Sequence, residues 1–252
     1  MIKLSCFIIT FNEERNIRRC LESLDGIADE IVVVDSGSAD NTAAICKSFG
    51  VKFIINPFEG HKEQKNFASR QCTHEHILSL DADEALSVDL KNSIATVKEN
   101  WGTDGYSFNR LTNYCGKWIH HCGWYPDRKL RLYKKGKGEW SGSNPHDQFI
   151  LNNPDNLGIL PGDLLHYSYY TIEDHLKQVN KFTEIAATSA FIEGRRSSLI
   201  QIFLKPVIRF IRDYIFHLGL LDGYYGFVIC RISSLATFIK FVKLYELQKR
   251  KS

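Results

Sequence analysis

The sequence predicts an α/β domain built on a mostly parallel central sheet flanked by helices, followed by amphipathic C-terminal helices. Three observations carry that reading. Short strand-like runs alternate with helix-like segments over the first hundred residues, and those runs are continuously apolar rather than alternating, as strands buried on both faces are. After Leu199, apolar residues instead alternate with basic ones at helical spacing. In chain order, residues 5–10 form a first strand and 14–24 a helix through Ile17, Leu21 and Leu24. Residues 30–34 are β-branched and end at Asp35. A turn at Ser36-Gly37-Ser38 leads to a helix holding Ala44, Ile45 and Phe49, which Gly50 ends. Residues 51–55 and 76–80 are further strands, with a helix over 64–72 between them. Strands are again expected at 106–110 and 129–133, joined by a loop rich in Trp, His and Gly. A helix covers 172–193, and two more fill 199–247, broken at Gly219 and 223–226. The domain division expected is 1–195 for the α/β domain and 196–252 for a basic helical region.

Composition narrows the function classes. The chain has 252 residues, 44% hydrophobic and 24% charged, values of a globular protein rather than a disordered or fibrous one. Net charge is only +3, but residues 199–252 hold nine Lys/Arg against three Asp/Glu, so the basic character lies in the tail. The modest total and the lack of a groove-reading element argue against nucleic acid as a partner. Seven scattered cysteines without a CxxC point to reduced thiols in the cytoplasm. No uncharged apolar run reaches the roughly 18 residues that span a bilayer.

The residues that carry chemistry sit at predicted strand ends. In an open parallel sheet, ligands bind beyond the carboxyl ends of the strands. Thr10-Phe11-Asn12-Glu13-Glu14 follows the first strand, Asp35 ends the second, and Asp81-Ala82-Asp83 ends the fourth. Each has a plain reading: a helix cap for Thr10 or Asn12, a turn cap for Asp35, a solvated acidic turn for Asp81 and Asp83. Together on one sheet edge they describe a nucleotide-diphosphate site, with Asp81 and Asp83 placed to hold Mg²⁺ or Mn²⁺. Gly37 belongs to neither GxGxxG nor GxxxxGK[ST], so a pyrophosphate here would be neutralised mainly by the metal.

Those segments resemble the three signatures of glycosyltransferase family 2, inverting enzymes with a GT-A fold. Gln64-Lys65-Asn66, Arg131-Leu132-Tyr133, Pro145-His146-Asp147, His166-Tyr167-Ser168 and Leu221-Asp222-Gly223 further resemble the bacterial lipopolysaccharide-core β-1,4-glucosyltransferase subgroup. The resemblance implies that Thr10, Asn12, Glu13 and Asp35 hold the nucleoside, with Lys65 and Asn66 beside it. It implies Asp83 as the metal carboxylate, Asp81 as its neighbour at the ribose or donor sugar, and Asp147 as the catalytic base. The family more often has Glu after that His, which leaves His146 as the local rival. Arg131 and Arg128 are candidates for a phosphate. The implied activity is metal-dependent hexosyl transfer from a nucleotide sugar, UDP-glucose, to a lipid-linked core glycan at the inner face of the cytoplasmic membrane. The alternatives are a polyprenyl phosphate or other surface-glycan acceptor, and a nucleotide-sugar-binding module without turnover.

Two further stretches admit two readings each. Cys115, His120, His121 and Cys122 match no established zinc spacing; the loop they share reads better as an acceptor-side segment whose Trp118, Trp124 and Tyr125 pack or stack on sugar. The basic, aromatic-rich tail reads as an amphipathic region for a membrane surface, against the plainer reading of packed helices with a basic outer face.

Overall fold

In the computed structural model, which describes residues 1–142 and 147–250, the strands are β1 (Leu4–Thr10), β2 (Glu30–Asp35), β3 (Lys52–Ile55), β4 (His76–Asp81), β5 (Glu84–Leu86), β6 (Gly105–Tyr114), β7 (Lys117–Ile119), β8 (Asp127–Lys134), β9 (Gly138–Ser141), β10 (Gln148–Leu151) and β11 (Leu157–Tyr169). The helices are α1 (Ile17–Ser23), α2 (Thr42–Ser48), α3 (His61–Gln71), α4 (Val88–Glu99), α5 (Ile172–Ile192), α6 (Leu199–Ile211) and α7 (Gly223–Lys249). A nine-stranded mixed sheet runs in the order β3-β2-β1-β4-β8-β6-β11-β5, with β7 paired to β6, while β9 and β10 form a separate ladder. Among β1 to β4 every pairing is parallel. Beyond β4 the sheet turns antiparallel, through β4·β8, β8·β6 and β5·β11. The mostly parallel sheet expected from sequence thus holds for its first half. Parallel neighbours need a crossover helix, and no helix lies between β6 and β11 among the described residues.

The continuous apolar runs are explained by burial on both faces. Leu4, Cys6 and Ile8 of β1 join Val33, Leu78 and Leu80 in one core, against Ile17, Cys20 and Leu21 of α1. Phe7 joins Val32, Val34 and Ile77 in the other, with Ala68 of α3, Tyr133, Trp140 and Phe149. Helix α1 starts at Ile17, three residues later than predicted. The backbone N–H groups of Glu13 and Glu14 are spent outside it, on Thr42 Oγ1 (2.8 Å) and Asp40 Oδ2 (3.0 Å). Ser87, not an aspartate of the acidic turn, caps α4, its Oγ accepting from the Leu90 N–H at 3.2 Å.

Two compact units are present: residues Met1–Leu111 with Asp127–Tyr167, and Thr112–Pro126 with Ser168–Ser252. The grouping differs from the expected boundary at 195/196, since α5 packs on α7 and so belongs with the C-terminal helices. In that helical unit, capping boxes start α5 (Thr171 with Asp174) and α6 (Ser198 with Gln201). The predicted break between the last two helices is a π-helical turn at Arg212–Phe216 and a 3₁₀ turn at Gly219–Asp222. A Cβ on Gly226 would lie 1.9 Å from the Gly219 carbonyl oxygen, which is why glycine stands there. Asp222 ties the break to the loop before β8, accepting from His121 N (2.8 Å) and His121 Nδ1 (3.2 Å). No helix among the described residues is long and apolar enough to cross a membrane.

Candidate active site at the carboxyl edge of the parallel strands

The strand register brings the predicted edge together: Thr10 lies opposite Asp35, and Ile9 opposite Asp81. At its centre is a buried chain of ion pairs. Lys65, 3% exposed, projects from α3 and sits 3.0 Å from Asp81 Oδ1 and 2.9 Å from Asp147 Oδ2. Arg131, from β8, lies 2.8 Å from Asp81 Oδ2 and 3.2 Å from Glu84 Oε1. Arg110 of β6 reaches Glu84 as well, at 3.5 Å. The indole of Trp140, on β9, backs this chain, with Lys65 Nζ 4.5 Å and the Arg131 guanidinium 5.3 Å from its ring centre. Burial by itself raises the Asp81 carboxyl, but Arg131 and Lys65 outweigh it and hold the group well below the usual carboxylate range. Burial likewise lowers Arg131, and Asp81 with Glu84 more than reverses that, so the guanidinium stays charged.

Asp83 is differently placed. Antiparallel pairing sets His166 of β11 opposite Glu84, which brings His166 Nε2 to 3.1 Å from Asp83 Oδ2. Burial pushes the Asp83 carboxyl up; His166 and, further out, Arg110 bring it below its ordinary value. Asp83 and His166 form an oxygen–nitrogen donor pair, whereas Asp81 is ion-paired to Lys65 (3.0 Å) and to Arg131 (2.8 Å). Of the two carboxylates expected at a metal, Asp81 is the one tied up by Lys65 and Arg131. An imidazole and a carboxylate suit Mn²⁺, and Mg²⁺ commonly takes one or two carboxylates, its remaining ligands coming from phosphate and water. Glu13, half-buried beside them, is raised to about 7 by burial, opposed by the Asn16 amide and reinforced by Asp83, Asp40 and Asp81.

Several predicted contact residues have local employment. Asp35 accepts from Gly37 N (2.8 Å), Ser38 N (2.7 Å) and Ser38 Oγ (2.5 Å), capping its own turn. Asn12, at φ 54°, donates its N–H to Ser38 Oγ and accepts from Ala39 N, both at 2.8 Å. Asn66 pins β9 to α3 through Trp140 O (2.9 Å) and Trp140 N (3.1 Å). Thr10 Oγ1 and the Arg131 Nε and Nη1 atoms are buried without a hydrogen-bond partner among the described residues. His146, the rival base, lies outside the described residues. Arg128 is exposed, and Trp124 packs in the helical unit against Tyr114, Tyr169 and His175. His121 is engaged by Asp222, and no group of three or more His, Cys, Asp or Glu among the described residues is arranged to hold a metal.

Glu84, Arg110, Trp140 and His166 join the site without having been assigned to it. His166 stood in a recognised motif but had no role, because only the β5·β11 register puts it beside Asp83.

Residues 5–151 match the model of Glycosyl transferase family 2. The chain belongs to glycosyltransferase family 2. It is 32% identical to an uncharacterized glycosyltransferase of Rickettsia typhi, covering 98% of this chain and 88% of that one. It is 30% identical to the lipopolysaccharide core biosynthesis glycosyltransferase LpsC of Rhizobium meliloti, over 97% and 93% of the two chains. Among solved structures, the glucosyl-3-phosphoglycerate synthase of Mycobacterium tuberculosis, crystallised with Mn²⁺ and UDP, matches at TM-score 0.35 and 20% identity over 44% of each chain. In this family 2 glycosyltransferase the family match spans β1 to β10 and includes the whole ion-pair chain from Asp81 to Asp147.

Proposed function

We propose that this family 2 glycosyltransferase is an inverting, metal-dependent hexosyltransferase that moves glucose from UDP-glucose to a lipopolysaccharide core sugar. It would act as a peripheral protein on the inner face of the cytoplasmic membrane. The observation that carries the reading is the meeting of Asp147 with Asp81 through Lys65, across 66 residues of sequence. One lysine holds Asp147 next to the acidic turn of Asp81, and a single displacement needs its base on the acceptor side adjacent to the donor site. The match to LpsC over nearly its full length supports the core-glycan acceptor.

In this reading each residue has a task. Lys65 holds Asp147 through Oδ2, orienting the carboxylate so that Oδ1 takes the proton of the attacking acceptor hydroxyl. The nucleoside diphosphate leaves from the opposite face of the anomeric carbon. Thr10 Oγ1 and the unpaired donors of Arg131 are ready for an anionic or hydroxyl-rich ligand, since buried polar groups are otherwise satisfied. Asp83 and His166 would hold the divalent cation, which supplies charge stabilisation to the departing diphosphate. Glu13, Asn12 and Asp35 shape the nucleoside end, the last two through the loops they tie.

Calorimetric titration with UDP-glucose, with and without Mn²⁺, tests the reading on wild type and Asp83→Ala. Metal-dependent binding that Asp83→Ala loses is the expected result. Binding of a different nucleotide sugar in its place would replace the donor; binding of none would remove the transferase reading.

A further inference from the structure

A helix on a protein surface ordinarily turns a polar face outward, and α6 does not. Ile202 and Pro206 are buried inward, while Ile200 and Phe203 on the outward side are 73% and 70% exposed. Leu204, Val207, Ile208 and Ile211 continue that stripe at helical spacing, and Phe216, Leu221 and Tyr224 extend it through the two turns into α7. Residues 199–227 hold 14 of the 28 large hydrophobic side chains exposed among the described residues, far more than scattered surface hydrophobics explain.

The charges around the stripe have one sign. Residues 194–231 contain six Lys/Arg and two acidic residues. Those two, Asp213 and Asp222, are 1% and 3% exposed, so every exposed formal charge is positive. Lys205, Arg209 and Arg212 follow one another along one edge of the apolar stripe; Arg209 and Arg212 share the single buried carboxylate of Asp213, which leaves the edge net positive. In the second half of α7, Lys243 bonds to Asn180 O (3.0 Å) and pairs with Glu184 (3.0 Å) of α5, turning that charge inward.

We infer that the outward face of α6, with the turns that follow it, docks in the plane of an anionic lipid bilayer. Only such a surface offers negative headgroups beside an apolar interior. Two copies of this face would set like charges against each other. The use of docking, to meet a lipid-borne acceptor, rests on the transferase reading; the docking itself rests on this surface.

Sedimentation of the whole protein with vesicles tests it. Vesicles containing phosphatidylglycerol should carry the protein down, vesicles of phosphatidylcholine alone should not, and salt should weaken the binding. Ile200→Ser with Phe203→Ser should abolish it, and Lys205→Ala should weaken it about fivefold. Phe238→Ser, on α7 outside the stripe, should change nothing. The inference is overturned by wild type that ignores anionic vesicles, or by binding that the double substitution leaves intact. It is equally overturned by a dimer, seen in light scattering, that the double substitution dissolves while no vesicle binds. Titration of the same samples with UDP-glucose and with other nucleotide sugars separates the two readings: binding of none of them with retained vesicle binding overturns the transferase alone.

Discussion

The sheet-bearing unit takes Lys65, Arg131, Asp81, Glu84 and Asp147 largely out of water and sets them against one another. The helical unit does the reverse, leaving Ile200, Phe203 and Phe216 in solvent while burying Asp213 and Asp222. Neither arrangement is what stability alone would select. Well-packed hydrophobic residues commonly do as well as or better than a buried ion-pair chain, and an exposed apolar stripe invites aggregation. Such local departures from the stable solution mark places where a sequence serves something other than its own folding. Here the two units depart in opposite directions, toward polar chemistry in one and apolar contact in the other.

The sharpest way to break this contrast is Asp147→Asn. Turnover should fall by about 10²–10⁴-fold, measured as UDP release with acceptor present, while UDP-glucose binding persists. Near-normal turnover would show the ion-pair chain to be structural and would move the base to His146. Lys65→Met comes next, because it strands two carboxylates. Urea unfolding should show a loss of about 3–5 kcal/mol, and Lys65→Arg should recover part of it.

The helical unit should answer to pH as well. Burial lowers His175 from 6.5 to about 4, and its Nδ1 lies 3.0 Å from the Tyr114 hydroxyl. Between those values the unfolded chain binds a proton at this histidine that the folded chain does not, so the contribution of His175 to stability rises with pH across the window. It is complete above about 6.5, and about 3 kcal/mol is lost as the pH falls to about 4. Thermal unfolding of wild type and His175→Gln from pH 4 to pH 7 checks this as a difference: wild type should gain on the variant as the pH rises, while Glu13, raised to about 7, adds to both proteins a slope of the opposite sign. The smallest effect is at Ser87→Ala, where loss of the α4 cap should cost about 1 kcal/mol and leave donor binding untouched.

The parallel half of the fold was legible because its signals are local: the β-branched run closed by Asp35 and the helix ended by Gly50 state their own periodicity. Thr10, Asp35 and Asp81 were legible for the same reason, being strand ends. Long-range register was not. Nothing near His166 tells that it will face Glu84 across a ladder and so stand beside Asp83, and nothing near Asp147 tells that α3 will deliver Lys65 to it. Asn12, Asp35 and Asn66 illustrate the converse. Their side chains suit a ligand and a turn equally well, and spacing alone does not distinguish the two uses. In the tail, amphipathic spacing was legible in α6, but only packing told which apolar face is turned inward.

The hydrogen bonds between the loops after β1 and β2 bear on how this site can change. Asn12 bonds Ser38 and Ala39, Glu13 bonds Thr42, and Glu14 bonds both Asp40 and Asn41 (2.9 Å). The two segments are cross-stitched, each supplying the partners the other lacks. Transplanting either one alone into a related enzyme would leave donors and acceptors without counterparts, whereas moving both together carries the stitching along. On the proposed reading, in which these loops hold the nucleoside, exchanging the nucleotide preference takes the pair of loops together rather than single residues.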